Sequence, residues 1–193
     1  AALATDGAPS DCVALAVLGL LEKKVDLVAS GINPNANLGH DVTYSGTVTA
    51  AMEAVIWGIP GVAVSLDSPE NHLGILDYDT AARVAGVVVR KVIENGLPRD
   101  ILLNVNVPYV QEAQLKGIKV TRQGLRVYRD LLVSRQDPRG RPYYWIGGDA
   151  PTGIAEEGTD FGALAEKFVS VTPIQLDLTA RDALESLRHW QWS

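Results

Sequence analysis

The stretch Val25–Leu66, VDLVASGINPNANLGHDVTYSGTVTAAMEAVIWGIPGVAVSL, decides the fold. An apolar run, residues 25–30 (VDLVAS), reads as a short buried strand. A connection rich in glycine and asparagine follows. Residues 47–57 read as a helix, closed by Gly58 with Pro60 beyond, which is a helix stop signal. Residues 61–66 (GVAVSL) are a second buried strand. Strand, loop, helix and strand in this order form the repeating unit of a parallel sheet.

The rest of the chain extends the pattern. Residues 12–22 (CVALAVLGLLE) predict a helix with Ser10 or Asp11 as N-cap. A helix over 79–95 ends at Gly96 and Pro98, and a strand over 101–107 (ILLNVNV) is stopped by Pro108. The pattern changes after Pro108, so the chain divides into an α/β core over 1–108 and a second region over 109–193. There, residues 118–135 alternate and carry several arginines, Asp137-Pro138-Arg139-Gly140 signals a turn, and residues 141–146 (RPYYWI) return. This predicts a protruding β-hairpin, whose aromatic side needs a partner because a lone ribbon is marginal in water. Residues 147–160 read as a polar loop and 168–172 as a strand followed by Pro173. Thr179 with Asp182 resembles a capping box for a C-terminal helix over 180–190.

The totals bound what the chain can do. Of 193 residues, 47% are hydrophobic, enough for a core. The net charge is −6, from 23 acidic and 17 basic residues, which leaves no footprint for duplex nucleic acid. No apolar stretch is long enough to span a membrane. The single cysteine, Cys12, cannot form an intrachain disulfide, which fits a reducing cytoplasm. It falls on an apolar helix face and is expected to be a buried thiol.

Ligands of open α/β sheets bind beyond the strand C-termini, where this connection lies. Ser45-Gly46-Thr47 opens the next helix. A helix start offers unpaired N–H groups and the positive end of the dipole, which suit phosphate. Taken alone, the triplet is also an ordinary N-cap. Asn33 offers a hard, neutral amide oxygen of the kind Mg²⁺, Mn²⁺ or Ca²⁺ accepts, and alone it is also a turn residue. Asn35 and Asn37 read as loop formers. Asp26 and Asp41 form no carboxylate cluster with Asn33. His40, His72 and His189 share no ligand spacing with one another or with Cys12. Glu156, Glu157 and Asp160 read as solvated or capping residues. The arginines from Arg122 to Arg141 serve hairpin solubility or attract an anion.

Taken together, GIN…NLGHDVTYSGTVTAAMEA…GIPGVAVSL resembles the SurE family, metal-dependent nucleotidases. DGAPSDCVALA, LLNVNVP, TRQGLRVYRD, DPRGRPYYWI, EEGTD and FVSVTPIQLDLT continue the likeness in order across essentially the whole chain. The resemblance implies a Rossmann-like three-layer α/β/α core with a mostly parallel sheet. It implies hydrolysis of nucleoside 5′- and 3′-monophosphates with one divalent ion per subunit, Mg²⁺ or Mn²⁺. It puts a metal ligand at Asn33, an active-site residue at Asn37, and phosphate contacts at Ser45, Gly46 and Thr47. It further implies cytoplasmic homodimers, in some members homotetramers. Asn35 stands where the family usually has glycine, and is expected to keep the loop shape if positive φ is needed. The family's Asn-Asp-Asp-Gly and Arg-Ser-Gly-like motifs do not occur, so the chain is expected to lack the N-terminal metal-binding part. A rival reading, a non-catalytic α/β module that binds an anion or nucleotide or serves assembly, explains the same absence. A dinucleotide-dependent oxidoreductase would need a G-x-G-x-x-G after a strand, which is not there.

Overall fold

Strand β1, Val28–Asn33, starts later than the apolar run suggests, because a parallel ladder can begin only where its partner begins. That partner is β2, Gly61–Asp67, with Val28 opposite Gly61 and the Val28 N–H donating to the Pro60 carbonyl at 2.9 Å. The computed structural model describes residues 2–192, the side chains of 128–130 and 148–151 excepted. Beyond β2, helix α3 (Asp79–Asn95) leads to β3, Ile101–Pro108, parallel to β2. Strand β4, Ile118–Val120, and β7, Val169–Gln175, complete a five-stranded sheet in the order β1-β2-β3-β7-β4. Only β7 against β3 is antiparallel, so the sheet is mostly parallel as expected.

Alternation along the strands builds two different faces. Val62, Val64 and Leu66 of β2 and Val105 and Val107 of β3 meet Val84, Val88 and Val92 of α3 in a wholly apolar layer. The opposite face carries Ala63, Leu102 and Ile174, packed under Val48, Ala51 and Val55 of helix α2, Gly46–Ile56. Higher on that face stand fully buried polar residues: Ser65, Asn104, Asn106, Ser170 and Thr172. Helices on both faces make the α/β/α layering real. Helix α1, Pro9–Leu15, lies outside α2 through Val13 on Ala50 and Ala54.

Several local expectations are corrected. The first helix starts earlier, with Ala8 as N-cap and Pro9 at the first position. Asp11 lies in its first turn and accepts the Ala8 N–H at 2.8 Å. The helix relaxes into a wider turn over Ala16–Leu20 and breaks at Gly19, whose φ is +118°. Cys12 is exposed rather than buried, because Val13, about 100° further round the helix, is the residue that faces α2. Ile118–Val120 belongs to the main sheet and not to the hairpin.

The hairpin itself is β5, Arg126–Gln136, and β6, Pro142–Gly153, so the first half of the expected polar loop is strand. Its turn is tied by Asp137, whose Oδ1 accepts from the N–H groups of Arg139 at 2.8 Å and Arg141 at 2.9 Å. Pro173 lies inside β7 instead of ending it. It has the same parity as Val171, whose carbonyl accepts from Thr121 on the β4 side. Since β4 pairs only as far as Val171, the missing N–H of Pro173 faces an open edge and breaks no ladder bond. A short helix α4, Asp160–Ala165, was not anticipated, its glycine having masked it; Thr159 caps it, accepting from Gly162 N–H at 3.0 Å. The last helix, α5, covers Arg181–Arg188 without the expected capping box: Ala180 is its N-cap and the Thr179 N–H turns back to Asp177.

Candidate active site

The C-terminal ends of β1 and β2 and the start of α2 open onto one cleft of about 720 Å³. The Gly31-Ile32-Asn33 segment ends β1 there. Gly31 has φ +121°, and a Cβ on it would collide with the Val64 carbonyl, so only glycine lets the strand pass. Ile32 packs into the α3-side core and Asn33 then reaches the cleft. The Asn33 Nδ2 donates to the Asn35 carbonyl at 2.5 Å, which orients the amide. Asn35 takes no positive φ: among the described non-glycine residues, only Asp100 and Lys167 do.

Asn37 is not a plain loop former. It is buried, and it fastens the loop to the polar upper part of the sheet. Its N–H donates to Asn106 Oδ1 at 2.8 Å, and its side-chain Nδ2 donates to Ser65 Oγ at 2.7 Å. Its carbonyl accepts from Asn104 Nδ2 at 2.8 Å and Asn106 Nδ2 at 3.1 Å. Asn104 and Asn106 were missed as site residues. The signal was available: two asparagines at period 2 in an otherwise apolar strand put two amides on one face.

Ser45 is the N-cap of α2, and its Oγ accepts from Val48 N–H at 3.1 Å. The Thr49 N–H goes to the Ser45 carbonyl at 2.9 Å. Of the four orphan donors of a helix start, the Val48 N–H is thus taken by the cap, Gly46 lies at the cleft, and the Ser45 hydroxyl keeps its own proton to donate. Ser45 and Gly46 line the cleft, while Thr47 does not. A Cβ on Gly46 would meet Pro9 Cγ at 3.3 Å, so this glycine also allows α1 to approach.

The far wall comes from the second region. Asp160, fully buried, accepts through Oδ2 from Gly39 N–H at 2.8 Å and through Oδ1 from Gly124 N–H at 2.8 Å and Phe161 N–H at 2.9 Å. It is therefore not solvated, although its bond to the Phe161 N–H does help to cap the start of α4. It joins the cleft loop to the root of the hairpin. There Arg126 Nε lies 3.1 Å from Asp41 Oδ2. Asp67, at the end of β2, keeps an open side toward the cleft but sits deep among its neighbours. Burial raises its carboxyl above the usual 3.8, against an opposing pull from Arg126.

The family model described as "Survival protein SurE" matches residues 1–130. The chain belongs to the SurE family. It is 55% identical over 195 residues to the 5′-nucleotidase SurE of Chloroflexus aggregans, spanning 99% of this chain and 75% of that protein. It is 52% identical to the 5′-nucleotidase SurE of Herpetosiphon aurantiacus, spanning 100% of this chain and 74% of the relative. The crystal structure of the SurE protein from Aquifex aeolicus superposes with a TM-score of 0.79 at 46% identity, covering 95% of this chain and 73% of that one.

A divalent cation gathers at least six oxygens, usually several of them anionic. The cleft offers the Asn33 amide and the carboxylates of Asp41, Asp67 and Glu70 along its walls. Among the described residues, however, no three His, Cys, Asp or Glu side chains are grouped to hold a metal ion. The described residues do not by themselves form a cation site.

Proposed function

We propose that this SurE-family chain is a phosphomonoesterase of the 5′-nucleotidase type, acting on nucleoside monophosphates at the cleft beyond β1 and β2. The observation that carries the reading is the start of α2, where Ser45 and Gly46 line the same cleft as Asn33 and the Ser45 hydroxyl caps the helix. The relatives named as 5′-nucleotidases at 55% and 52% identity support it, and nothing favours a non-catalytic module. In this reading the α2 start holds the phosphate through its N–H groups and dipole, orienting the phosphorus for attack. Ser45 donates to a phosphate oxygen while its Oγ still caps the helix. Asn37, committed to Ser65 and the sheet, acts as a positioning residue. Asn33 is one neutral oxygen of a Mg²⁺ or Mn²⁺ site that the described residues do not complete. Activity on 3′- as well as 5′-monophosphates and a cytoplasmic location belong to the same proposal.

The proposal extends to assembly. Leu132 and Ile146 face each other on one side of the hairpin and are 72% and 82% exposed; Trp145, on the other side, is 62% exposed. Such a ribbon gains stability by packing on a second copy, so within residues 109–193 the hairpin β5–β6 is the oligomerisation element of a homodimer or homotetramer, while β4 and β7 belong to the central sheet.

The test is phosphate release from nucleoside monophosphates with Mg²⁺ or Mn²⁺ added, for the wild type and Ser45→Ala. The variant loses a cap, costing about 1 kcal/mol of stability, and inorganic phosphate inhibits it more weakly. No release from any nucleoside monophosphate with either metal would refute the enzyme reading. Unchanged phosphate inhibition in the variant would move the phosphate site elsewhere.

A further inference from the structure

We propose that Arg126 is a substrate-binding residue of the cleft, donating from the root of the hairpin to the phosphate held at the start of α2. The inference rests on the phosphate reading above and adds a residue to it from the opposite wall. Four charged residues line the cleft among the described residues: Asp41, Asp67, Glu70 and, as the single cation, Arg126. Three carboxylates line the same cleft, so among the described side chains the Arg126 guanidinium is the one that offers an anionic substrate a positive charge.

Arg126 is also held in place before any ligand arrives. Its side chain is only 19% exposed, its Nε lies 3.1 Å from Asp41 Oδ2, and its guanidinium carbon stands 5.8 Å from the Phe161 ring centroid. The Nε itself is buried without an aligned hydrogen bond, so the Asp41 contact is chiefly one of charge. A half-buried guanidinium near an aromatic ring, with a contact to the carboxylate that is one of charge only, keeps donors of its fork free for bidentate recognition of phosphate. The backbone reinforces this placement. Phe161 follows Asp160, which binds Gly39 N–H and Gly124 N–H on either side of the same junction.

The competing explanation is structural: Arg126 pins the 3₁₀ turn over Gly39–Tyr44 through Asp41 and never touches substrate. Isothermal titration calorimetry with inorganic phosphate separates the two, using Arg126→Ala, Arg126→Lys and Asp41→Asn, each checked for folding by circular dichroism. If Arg126 binds the anion, Arg126→Ala weakens phosphate about tenfold or more, the scale of one charge-assisted hydrogen bond. Arg126→Lys, which keeps the charge without the fork, falls between that variant and the wild type. Asp41→Asn, which removes a repelling carboxylate and leaves the guanidinium, binds phosphate at least as tightly as the wild type. The KM for a nucleoside monophosphate rises in step with the loss in Arg126→Ala. Binding by Arg126→Ala within roughly twofold of the wild type overturns the proposal. So does an Asp41→Asn variant as weak as Arg126→Ala, which would show that the pair matters and not the cation. A wild type that binds no phosphate would instead overturn the phosphate site at α2, and this proposal with it.

Discussion

Replacing Asn106 by alanine tests how the cleft loop is held. The Asn106 side chain accepts from Asn37 N–H at 2.8 Å and donates to the Asn37 carbonyl at 3.1 Å, and it is fully buried. The two losses are unequal. The Asn37 carbonyl keeps Asn104 Nδ2 at 2.8 Å, so it stays satisfied. No other hydrogen bond is found for the Asn37 N–H among the described residues, so it would be stranded away from water. A buried donor left unpaired costs about 1–3 kcal/mol and the second bond about 1 kcal/mol. The expected destabilisation is therefore about 2–4 kcal/mol, a large share of a typical domain's stability. The same face already carries Asn104 Oδ1 as a buried acceptor without a partner, so it has little slack to absorb another. Urea unfolding should show a lower midpoint at unchanged slope. Amide exchange at Asn37 should quicken by about tenfold for each 1.4 kcal/mol lost locally. A midpoint shift equivalent to less than about 0.5 kcal/mol, or an Asn37 amide exchanging as slowly as in the wild type, would show that the loop is anchored otherwise.

Asp160→Asn keeps the size of the side chain but turns one acceptor into a donor facing a backbone N–H; thermal unfolding should reveal a loss of about 2–4 kcal/mol, and a shift below about 1 kcal/mol would refute its role as the loop–hairpin tie. Asp67 holds its proton more readily in the folded than in the unfolded chain, so the folded state carries more protons between pH 3.8 and its raised value, and stability falls as pH rises through that window. Asp67→Asn should remove that fall and leave the protein more stable at neutral pH, measured as urea midpoints across a pH series; a parallel wild-type and variant profile would contradict it. Changing Leu132 and Ile146 together to serine should shift sedimentation toward the monomer without lowering the unfolding midpoint of the α/β body, and an unchanged oligomer would place the interface elsewhere.

The sequence by itself determined the layered fold, because the signals that carry it are local. Buried runs such as GVAVSL and ILLNVNV, the stop at Gly58 and Pro60, and the Ser45 cap of α2 each depend on neighbours within a few residues. Asn33, Ser45 and Gly46 were legible for the same reason: strand end and helix start flank one loop. What the tertiary structure alone decided are pairings across long separations. Asn37 meets Asn106 across 69 positions and Gly39 meets Asp160 across 121; the period-2 asparagines of β3 mark a polar face, but nothing local says which loop residue that face will meet. Pro173 could stay inside a strand only because the neighbouring strand ends before it. Cys12 turned outward because Val13 won the contact with α2. Asp67 drew no attention in the sequence and Arg126 was one arginine of several that could attract an anion; folding brought the two to one cleft, where burial raises the carboxyl of the one and an aromatic ring and a carboxylate flank the other. A side chain's charge is written in the sequence; its desolvation and its partner are properties of the assembled fold.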